Sequence, residues 1–297
     1  MTVDESLRPV PSWRPGYFIW PGGRIKLVLL GGLNSRTGDA EQAFGGMLRY
    51  MREHGGYDPR RDALEGTYAG GERPQPYTPS DTRRPLIDMA EAVAGCLDFY
   101  RQALPPDTRL CVVGYSMGGV VGLDGATLAV ARDREAWRTR LAAVVTLAAP
   151  LHGSSVGALV NWAWLVTGEP DGLGAAGDDL QARWKDAEEQ TRLARRAAFL
   201  RTEGARVLTL ADPDDSVVRP EEALLPSAGE TVADLQVSTS VTRPGSLGHG
   251  AILEEPAVWR RVLATVGPQS AGVGAKDTIE DELQALKARL RREGRLR

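Results

Sequence analysis

A candidate nucleophile lies near the middle of the chain, in GYSMG (114–118). This stretch matches the pattern G-x-S-x-G, in which a serine occupies a sharp turn between a strand and a helix and small neighbours relieve the crowding. Ser116 follows an apolar strand-like run and begins a helix-like run, which is the context that the pattern requires. A second match at 153–157 is separated from its strand by Pro150, so we favour Ser116 over Ser155 as the nucleophile. A glycine-rich turn with an inert serine is the alternative.

A serine hydroxyl needs a base to act as a nucleophile at neutral pH, and histidine is the usual one. The chain has three histidines. His54 lies at a helix end before two glycines, where a solvent-exposed capping residue is expected. His152 follows a strand-like run and precedes a long insertion. His249, in LGHG (247–250) after the last strand-like run, is the candidate base, because a glycine-flanked loop can bring an imidazole over the edge of a sheet.

The third group in such a site is a carboxylate that orients the imidazole and stabilises its charged form. The segment ADPDDSVVRP (211–220) follows a strand-like run and supplies three aspartates. We predict Asp215, just before two apolar valines, as this acid, with Asp214 as the second choice. Any of the three aspartates could instead cap a short helix near Glu221.

Acyl transfer places negative charge on a substrate oxygen, and backbone N–H groups must stabilise that charge. One N–H is expected from Met117, the residue after the nucleophile. The other is expected from GGLNS (31–35), the loop after the first strand-like run, where Leu33 is the donor by position. An ordinary Gly-Gly turn is the alternative interpretation of this loop.

The elements that must position these residues alternate between apolar strand-like runs and helix-like runs. Strands are predicted at 25–30, 63–68, 110–113, 141–147, 207–210 and 232–241. Helices are predicted at 40–54, 86–104, 116–131, 156–166, 178–200 and 255–266. This alternation indicates an α/β fold with a mostly parallel, doubly wound sheet and helices on both faces. The stretch 151–204 is too long for a plain connection and is predicted to be a helical lid insertion.

Four segments of the chain resemble the α/β-hydrolase superfamily, in particular bacterial triacylglycerol lipases and GPI inositol-deacylase-like proteins. They are GYSMGG (114–119), TLAAPLHGS (146–154), DSVVRP (215–220) and GHGAILEEPAVWRRV (248–262). The resemblance covers about residues 20–266 and implies the α/β-hydrolase fold. It also implies a triad of Ser116, Asp215 and His249, which follow one another in the family's order of serine, acid and histidine.

Two positions depart from the family pattern. Gly31-Gly32 stands where the family often has His-Gly, and Pro150-Leu151-His152 stands where it often has Pro-His. Neither departure touches the triad. Both concern the wall of the substrate pocket.

The function that this ensemble predicts is hydrolysis of an apolar carboxylic ester through an acyl-enzyme, with a small-molecule or lipid-like acyl substrate. The mechanism requires no metal and no cofactor. Trp162, Trp164 and Trp184 in the insertion would either cover an acyl chain or pack the lid itself. Two alternatives remain open, namely a thioesterase or acyltransferase with the same triad and a catalytically idle binding protein with the same fold.

Composition argues against several other classes of protein. The chain has 297 residues, 42% of them hydrophobic, and a net charge of −3, so nucleic-acid binding is not expected. Cys96 and Cys111 are interpreted as buried apolar residues and not as a disulfide or a zinc site. The sequence contains neither a run of 18 apolar residues nor a signal-peptide pattern. We therefore predict a cytoplasmic protein without a membrane span.

Three regions are predicted along the chain: an irregular lead-in at 1–24, a hydrolase domain at 25–266, and a linker with an amphipathic helix at 267–297. In the last region Ile279, Leu283, Leu286 and Leu290 recur at helical spacing and form a narrow apolar seam. The helix would either dock on its own domain or join subunits of a homo-oligomer through a short coiled coil.

Overall fold

A computed structural model describes residues 24–71, 73–155, 168, 172–184, 186–225, 229–231, 248–267 and 269. The strands in these ranges are β1 (Ile25–Leu30), β2 (Ala63–Glu65), β3 (Arg109–Tyr115), β4 (Leu141–Leu147), β5 (Arg206–Ala211) and β6 (Gly229–Thr231). The α-helices are α1 (Asp39–Ala43), α2 (Gly45–Gly55), α3 (Pro59–Asp62), α4 (Leu86–Ala103), α5 (Met117–Arg132), α6 (Arg134–Trp137), α7 (Ala175–Arg183), α8 (Ala187–Thr202), α9 (Pro220–Ala223) and α10 (Pro256–Val266). Two short 3₁₀ helices span Pro79–Arg83 and Ala251–Glu254.

The six strands form one sheet in the order β2-β1-β3-β4-β5-β6, and every neighbouring pair is parallel. From β1 the chain runs outward to β2, returns past β1 to β3, and then continues outward to β6. The direction of winding therefore reverses between β1 and β3. At such a reversal the loops after the two strands diverge and leave a crevice at the carboxyl edge of the sheet.

Helices cover both faces of the sheet, which explains why most positions of the four central strands are apolar. On one face, α4, α5 and α8 bury apolar residues against alternate strand positions such as Val28 and Leu30. On the other face, α2 and α10 pack against the intervening positions Leu27 and Leu29. The sheet is the middle of three layers.

The prediction of a mostly parallel, doubly wound sheet is confirmed. The strands predicted at 25–30 and 141–147 have the predicted bounds, and the helices predicted at 86–104, 116–131 and 255–266 end within one residue of those observed. The short edge strand β6 was not predicted. The strand predicted at 232–241 lies outside the described residues.

Two of the predicted helices are each divided in the structure. The helix predicted at 40–54 is interrupted at Phe44, which ends α1 and precedes α2. The helix predicted at 178–200 ends at Arg183 and starts again after Asp186. The Asp186 carboxylate accepts hydrogen bonds from the N–H groups of Glu188 and Glu189 and so caps the new helix.

One helix of the region predicted to be a lid insertion, α8, packs in the core of the domain. Helix α8 buries Leu193, Ala197 and Leu200 in the core beside α5. It serves as the crossover that parallel strands β4 and β5 require. The helix predicted at 156–166, with Trp162 and Trp164, lies outside the described residues, as do most of the lead-in and the tail. The lid and the region boundaries therefore stay predictions.

Both cysteines are free and fully buried, Cys96 in one apolar cluster and Cys111 in the other, as predicted. Burial raises the pKa of each thiol to about 12. Among the described residues, no helix combines the length and the apolar character needed to cross a membrane.

Candidate active site

Ser116 occupies the sharp turn between β3 and α5, as the G-x-S-x-G pattern predicts. Its backbone has φ 55° and ψ −128°, a conformation that L-residues rarely adopt. The turn is held by hydrogen bonds from Ser116 N–H to Leu147 O (2.9 Å) and from Gly119 N–H to Ser116 O (2.9 Å). Gly114 must lack a side chain because a Cβ there would overlap the Gly118 carbonyl group. The turn places Ser116 at the carboxyl edge of the sheet, directly after β3, where the residue is buried.

His249 reaches the serine from the turn that precedes the 3₁₀ helix Ala251–Glu254. Its Nε2 atom lies 2.9 Å from Ser116 Oγ. The loop packs against the acidic segment that contains Asp214, because a Cβ added at Gly248 would lie 2.8 Å from the Asp214 carbonyl oxygen. Gly248 also has a positive φ of 75°. The glycine before the histidine is therefore required by both the backbone conformation and the close approach.

Asp215 lies behind the imidazole, with Oδ2 at 2.6 Å from His249 Nδ1. Its other oxygen accepts hydrogen bonds from the N–H groups of Val217 (2.8 Å) and Val218 (3.0 Å). The carboxylate is therefore fully buried and rigidly oriented. With Nδ1–H donating to this carboxylate, Nε2 is left to accept the serine proton. Asp214, the second choice, is exposed.

The predicted oxyanion donors flank Ser116. Met117 is the first residue of α5, a position whose N–H has no acceptor within its own helix. Leu33 belongs to the loop after β1, and that loop lies against the nucleophile, since a Cβ on Gly32 would stand 3.2 Å from Ser116 Cβ. The two predicted donors thus lie in segments that follow neighbouring strands of the sheet, Met117 after β3 and Leu33 after β1.

Tyr115 is a site residue that the sequence analysis did not single out. Its ring packs on the imidazole of His249, with 5.0 Å between the ring centroids. Burial, together with the nearby charge of Asp215, raises the pKa of the Tyr115 hydroxyl. The tyrosine limits the freedom of the histidine ring. Its place next to Ser116 in the motif was the only signal for this role.

The other two histidines and the second candidate serine lie away from this site. His54 is exposed on the last turn of α2 and stacks on Tyr50 at 4.3 Å. His152 uses both ring nitrogens, one with the Gln190 side chain and one with the Leu224 carbonyl oxygen (2.8 Å). Ser155 lies eight residues after the end of β4 and so does not directly follow a strand. Neither histidine is placed to serve Ser116.

Trp184, which the sequence analysis placed in the lid, is the partly buried residue that ends α7. In the described part of the chain, no cluster of three or more His, Cys, Asp or Glu side chains is arranged to hold a metal ion.

The strand order, the turn at Ser116 and the two loops that meet it define the α/β-hydrolase fold. In this architecture the serine follows a central strand, and the acid and the histidine follow later strands of the same sheet. In this chain Ser116 follows β3, Asp215 follows β5, and His249 comes later in the chain than β6.

Several solved structures are similar to this chain. The phospholipase PlaB from Legionella pneumophila, in complex with thio-NAD, shares 16% identity at a TM-score of 0.45 over 65% of this chain and 38% of that chain. A lipase-esterase related protein from Clostridium acetobutylicum shares 14% identity at a TM-score of 0.46 over 82% and 95% of the two chains. A thermophilic esterase from Thermogutta terrifontis shares 17% identity at a TM-score of 0.37 over 68% and 75%. The chain thus spans well under half the length of PlaB.

No protein-family model matches the sequence, and no curated protein matches it.

Proposed function

We propose that the chain is a serine hydrolase that cleaves a carboxylic ester with an apolar acyl group through an acyl-enzyme on Ser116. His249 Nε2 takes the proton from Ser116 Oγ while Oγ bonds to the acyl carbonyl carbon. Asp215 stabilises the imidazolium that forms. The N–H groups of Leu33 and Met117 donate to the oxygen that becomes negatively charged.

The remaining steps use the same groups and water. The bond from the carbonyl carbon to the leaving oxygen breaks, and His249 gives its proton to that oxygen, which departs as an alcohol. A water molecule then loses a proton to His249 and attacks the acyl-enzyme. Collapse of this second intermediate returns the proton to Ser116 and releases a carboxylic acid.

The observation that carries the proposal is the pair of hydrogen bonds in series at one carboxyl edge. Ser116 Oγ lies 2.9 Å from one nitrogen of His249, and Asp215 lies 2.6 Å from the other. Both lengths are within the range at which a proton can be transferred or held. The other oxygen of Asp215 already accepts two backbone N–H groups, so the folded structure does not require a histidine beside this carboxylate. Activation of Ser116 is a reason for His249 to lie there.

The apolar character of the substrate is proposed from the residues beside the nucleophile. Leu33, Tyr115 and Met117 are all uncharged, and Leu33 and Met117 are buried. Such surroundings favour an acyl chain over a charged group.

Covalent labelling with a fluorophosphonate tests the proposal, because only an activated serine reacts with it. Intact mass and peptide mapping would be compared for wild type, Ser116→Ala and Ser155→Ala. We expect one adduct on Ser116 in wild type and in Ser155→Ala and none in Ser116→Ala. An adduct on Ser155, or no adduct on wild type, would contradict the proposal.

Turnover then separates the reaction classes that share this triad. We expect unactivated alkyl esters to be hydrolysed faster than alkyl thioesters of the same acyl chain length, with water as the acceptor. A preference for thioesters would instead make the chain a thioesterase, and acyl transfer to an added alcohol in place of hydrolysis would make it an acyltransferase.

A further inference from the structure

The loop after β1 makes a tight turn whose geometry is fixed from within. Ser35 donates twice to the carbonyl oxygen of Gly32, from its N–H at 3.3 Å and from its hydroxyl at 2.6 Å. Asn34, at the third position of this turn, has φ 64°, as the third residue of a type II turn requires. The N–H of Asn34 is held in turn by the hydroxyl of Thr82 at 2.9 Å.

These bonds decide where the Leu33 N–H points. The Gly32 carbonyl and the Leu33 N–H belong to the same peptide unit, which is planar and trans, so they point in opposite directions. Because Ser35 holds the Gly32 oxygen, the Leu33 N–H points away from Ser35, in the opposite direction within the same peptide plane. Gly32 itself lies against Ser116, because a Cβ added at Gly32 would lie 3.2 Å from the serine Cβ.

The Ser35 hydroxyl is in turn held by a tyrosine. Tyr77 lies with its hydroxyl oxygen 3.3 Å from Ser35 Oγ, and both side chains are buried. A serine hydroxyl has one hydrogen, and Ser35 uses it on Gly32 O, so Tyr77 is the donor to Ser35. Burial raises the pKa of Tyr77, which keeps the tyrosine protonated and able to donate.

A second tyrosine holds the preceding peptide unit in the same way. The hydroxyl of Tyr68 donates to the carbonyl oxygen of Gly31. The rings of Tyr68 and Tyr77 pack edge to face, with 4.9 Å between their centroids. Two consecutive carbonyl groups of the loop thus accept hydrogen bonds from buried side chains, Gly31 from Tyr68 and Gly32 from Ser35.

We propose that Ser35 is a positioning residue for the oxyanion hole, which orients the Gly32–Leu33 peptide so that the Leu33 N–H faces the substrate oxygen, with Tyr77 holding the Ser35 hydroxyl. This inference rests on the proposed function of the site. Ser35 does not touch the reacting atoms. Its effect is exerted through the peptide whose oxygen it holds.

The test compares wild type, Ser35→Ala, Ser35→Thr and Tyr77→Phe in steady-state hydrolysis of a 4-nitrophenyl ester. A donor that is needed only for the charged oxygen affects the transition state more than the bound ester. We expect Ser35→Ala to lower kcat about 10- to 100-fold, less than full loss of an oxyanion donor, and to leave KM within about twofold. Tyr77→Phe is expected to lower kcat by a smaller factor, and Ser35→Thr, which keeps the hydroxyl, to restore most of it.

A second measurement distinguishes positioning from packing. The inhibition constant of a trifluoromethyl ketone, which forms a charged adduct with the serine, should rise in Ser35→Ala by about the same factor by which kcat falls. Thr265→Ala is the matched control. Thr265 and Ser35 are each 8% exposed, and the Thr265 hydroxyl donates to Arg261 O at 2.9 Å, on α10 beside the first residue of β5. It should change neither constant.

The outcomes separate this inference from the function on which it rests. Active wild type with unchanged kcat in both Ser35→Ala and Tyr77→Phe would overturn the role of Ser35 and leave the proposed function standing. A fall in kcat that only follows a fall in folded protein, or that Ser35→Thr fails to restore, would also overturn it. Should Ser35→Ala not fold, Tyr77→Phe decides by the same criteria. A wild type that neither labels nor hydrolyses would overturn the proposed function and this inference with it.

Discussion

A methyl group on Gly118 would overlap the carbonyl oxygen of Gly31. Gly118 lies on the first turn of α5, two residues after Ser116, and Gly31 directly follows β1. The nucleophile turn and the loop that carries Leu33 therefore touch backbone to backbone. Backbone atoms within a sheet and a helix cannot move aside as the end of a flexible side chain can, so this contact sets how close the nucleophile and the oxyanion loop approach each other.

Gly118→Ala should damage both stability and labelling. The added methyl must push α5 away from β1, and overpacking of this kind costs about 1–3 kcal/mol. We expect the free energy of unfolding in urea to fall by about that amount and fluorophosphonate labelling to slow. Gly45→Ala is the control, since a Cβ at Gly45 has no atom within 4 Å. Equal stability of the two variants would contradict the close contact.

Asp215→Asn should lower kcat by about 10³- to 10⁴-fold at neutral pH. The amide can keep one oxygen for the N–H groups of Val217 and Val218, but it cannot stabilise a charged His249 or hold its Nδ1–H in the required tautomer. Asp214→Asn, one residue earlier and exposed, is the matched variant and should retain most activity. Kinetics with a 4-nitrophenyl ester would measure both. Comparable losses of activity in the two variants would mean that Asp215 is not the acid of the site.

The parts of this fold that sequence could predict are those set by local pattern. The runs at 25–30 and 141–147 are apolar except at Lys26 and Thr146 because both faces of the sheet are covered, and that pattern is visible without a structure. The turn at Ser116 is also local, since strand, turn and helix follow one another directly. Asp215 and His249 could be proposed because loops after parallel strands meet at the same edge.

The features that the sequence did not predict depend on long-range contacts or have only weak local signals. Tyr68 is 37 residues from Gly31, and Tyr77 is 42 residues from Ser35, so nothing in either stretch indicated that they support the same loop. Strand β6 has only three residues, Gly-Glu-Thr, without an apolar pattern. The break between α7 and α8 is marked in the sequence only by the capping residue Asp186. Because the helical spacing of apolar residues continues across it, the sequence predicted one helix where the structure has two.

Asp124→Asn should destabilise the fold by about 3 kcal/mol. Asp124 is buried on α5, where its two oxygens pair with Arg183 of α7 (2.5 Å) and Arg196 of α8 (3.1 Å). Neutralising the carboxylate leaves both cations without their shared counter-charge, and breaking a buried pair from one side costs about 3–5 kcal/mol. Urea unfolding would measure the loss. Glu188→Gln, which removes an exposed partner of Arg192, should change little. A loss as small in Asp124→Asn would mean that water replaces the pairing.

Glu65 should make stability depend on pH near neutrality. Burial raises its pKa to about 7 from an ordinary value of 4.5, the charges of Glu41 and Asp39 add to the rise, and the hydrogen bond from Gly38 N–H opposes it. Because the folded protein holds this proton more tightly than the unfolded chain, the contribution of Glu65 to the free energy of unfolding is fully present below pH 4.5. That contribution is lost as the pH rises through about 7.

Glu65→Gln removes the charge and keeps an oxygen for the Gly38 N–H. The variant should match wild type in free energy of unfolding at pH 4.5 and exceed it at pH 8 by on the order of 2 kcal/mol, with allowance for the partial exposure of the side chain. Urea unfolding at a series of pH values between these limits would trace the difference. Glu188→Gln, exposed on α8, should show a difference from wild type that does not grow over the same range. A flat difference for Glu65→Gln as well would mean that the Glu65 carboxylate is ionised in the folded protein without cost, with the Gly38 N–H compensating its burial.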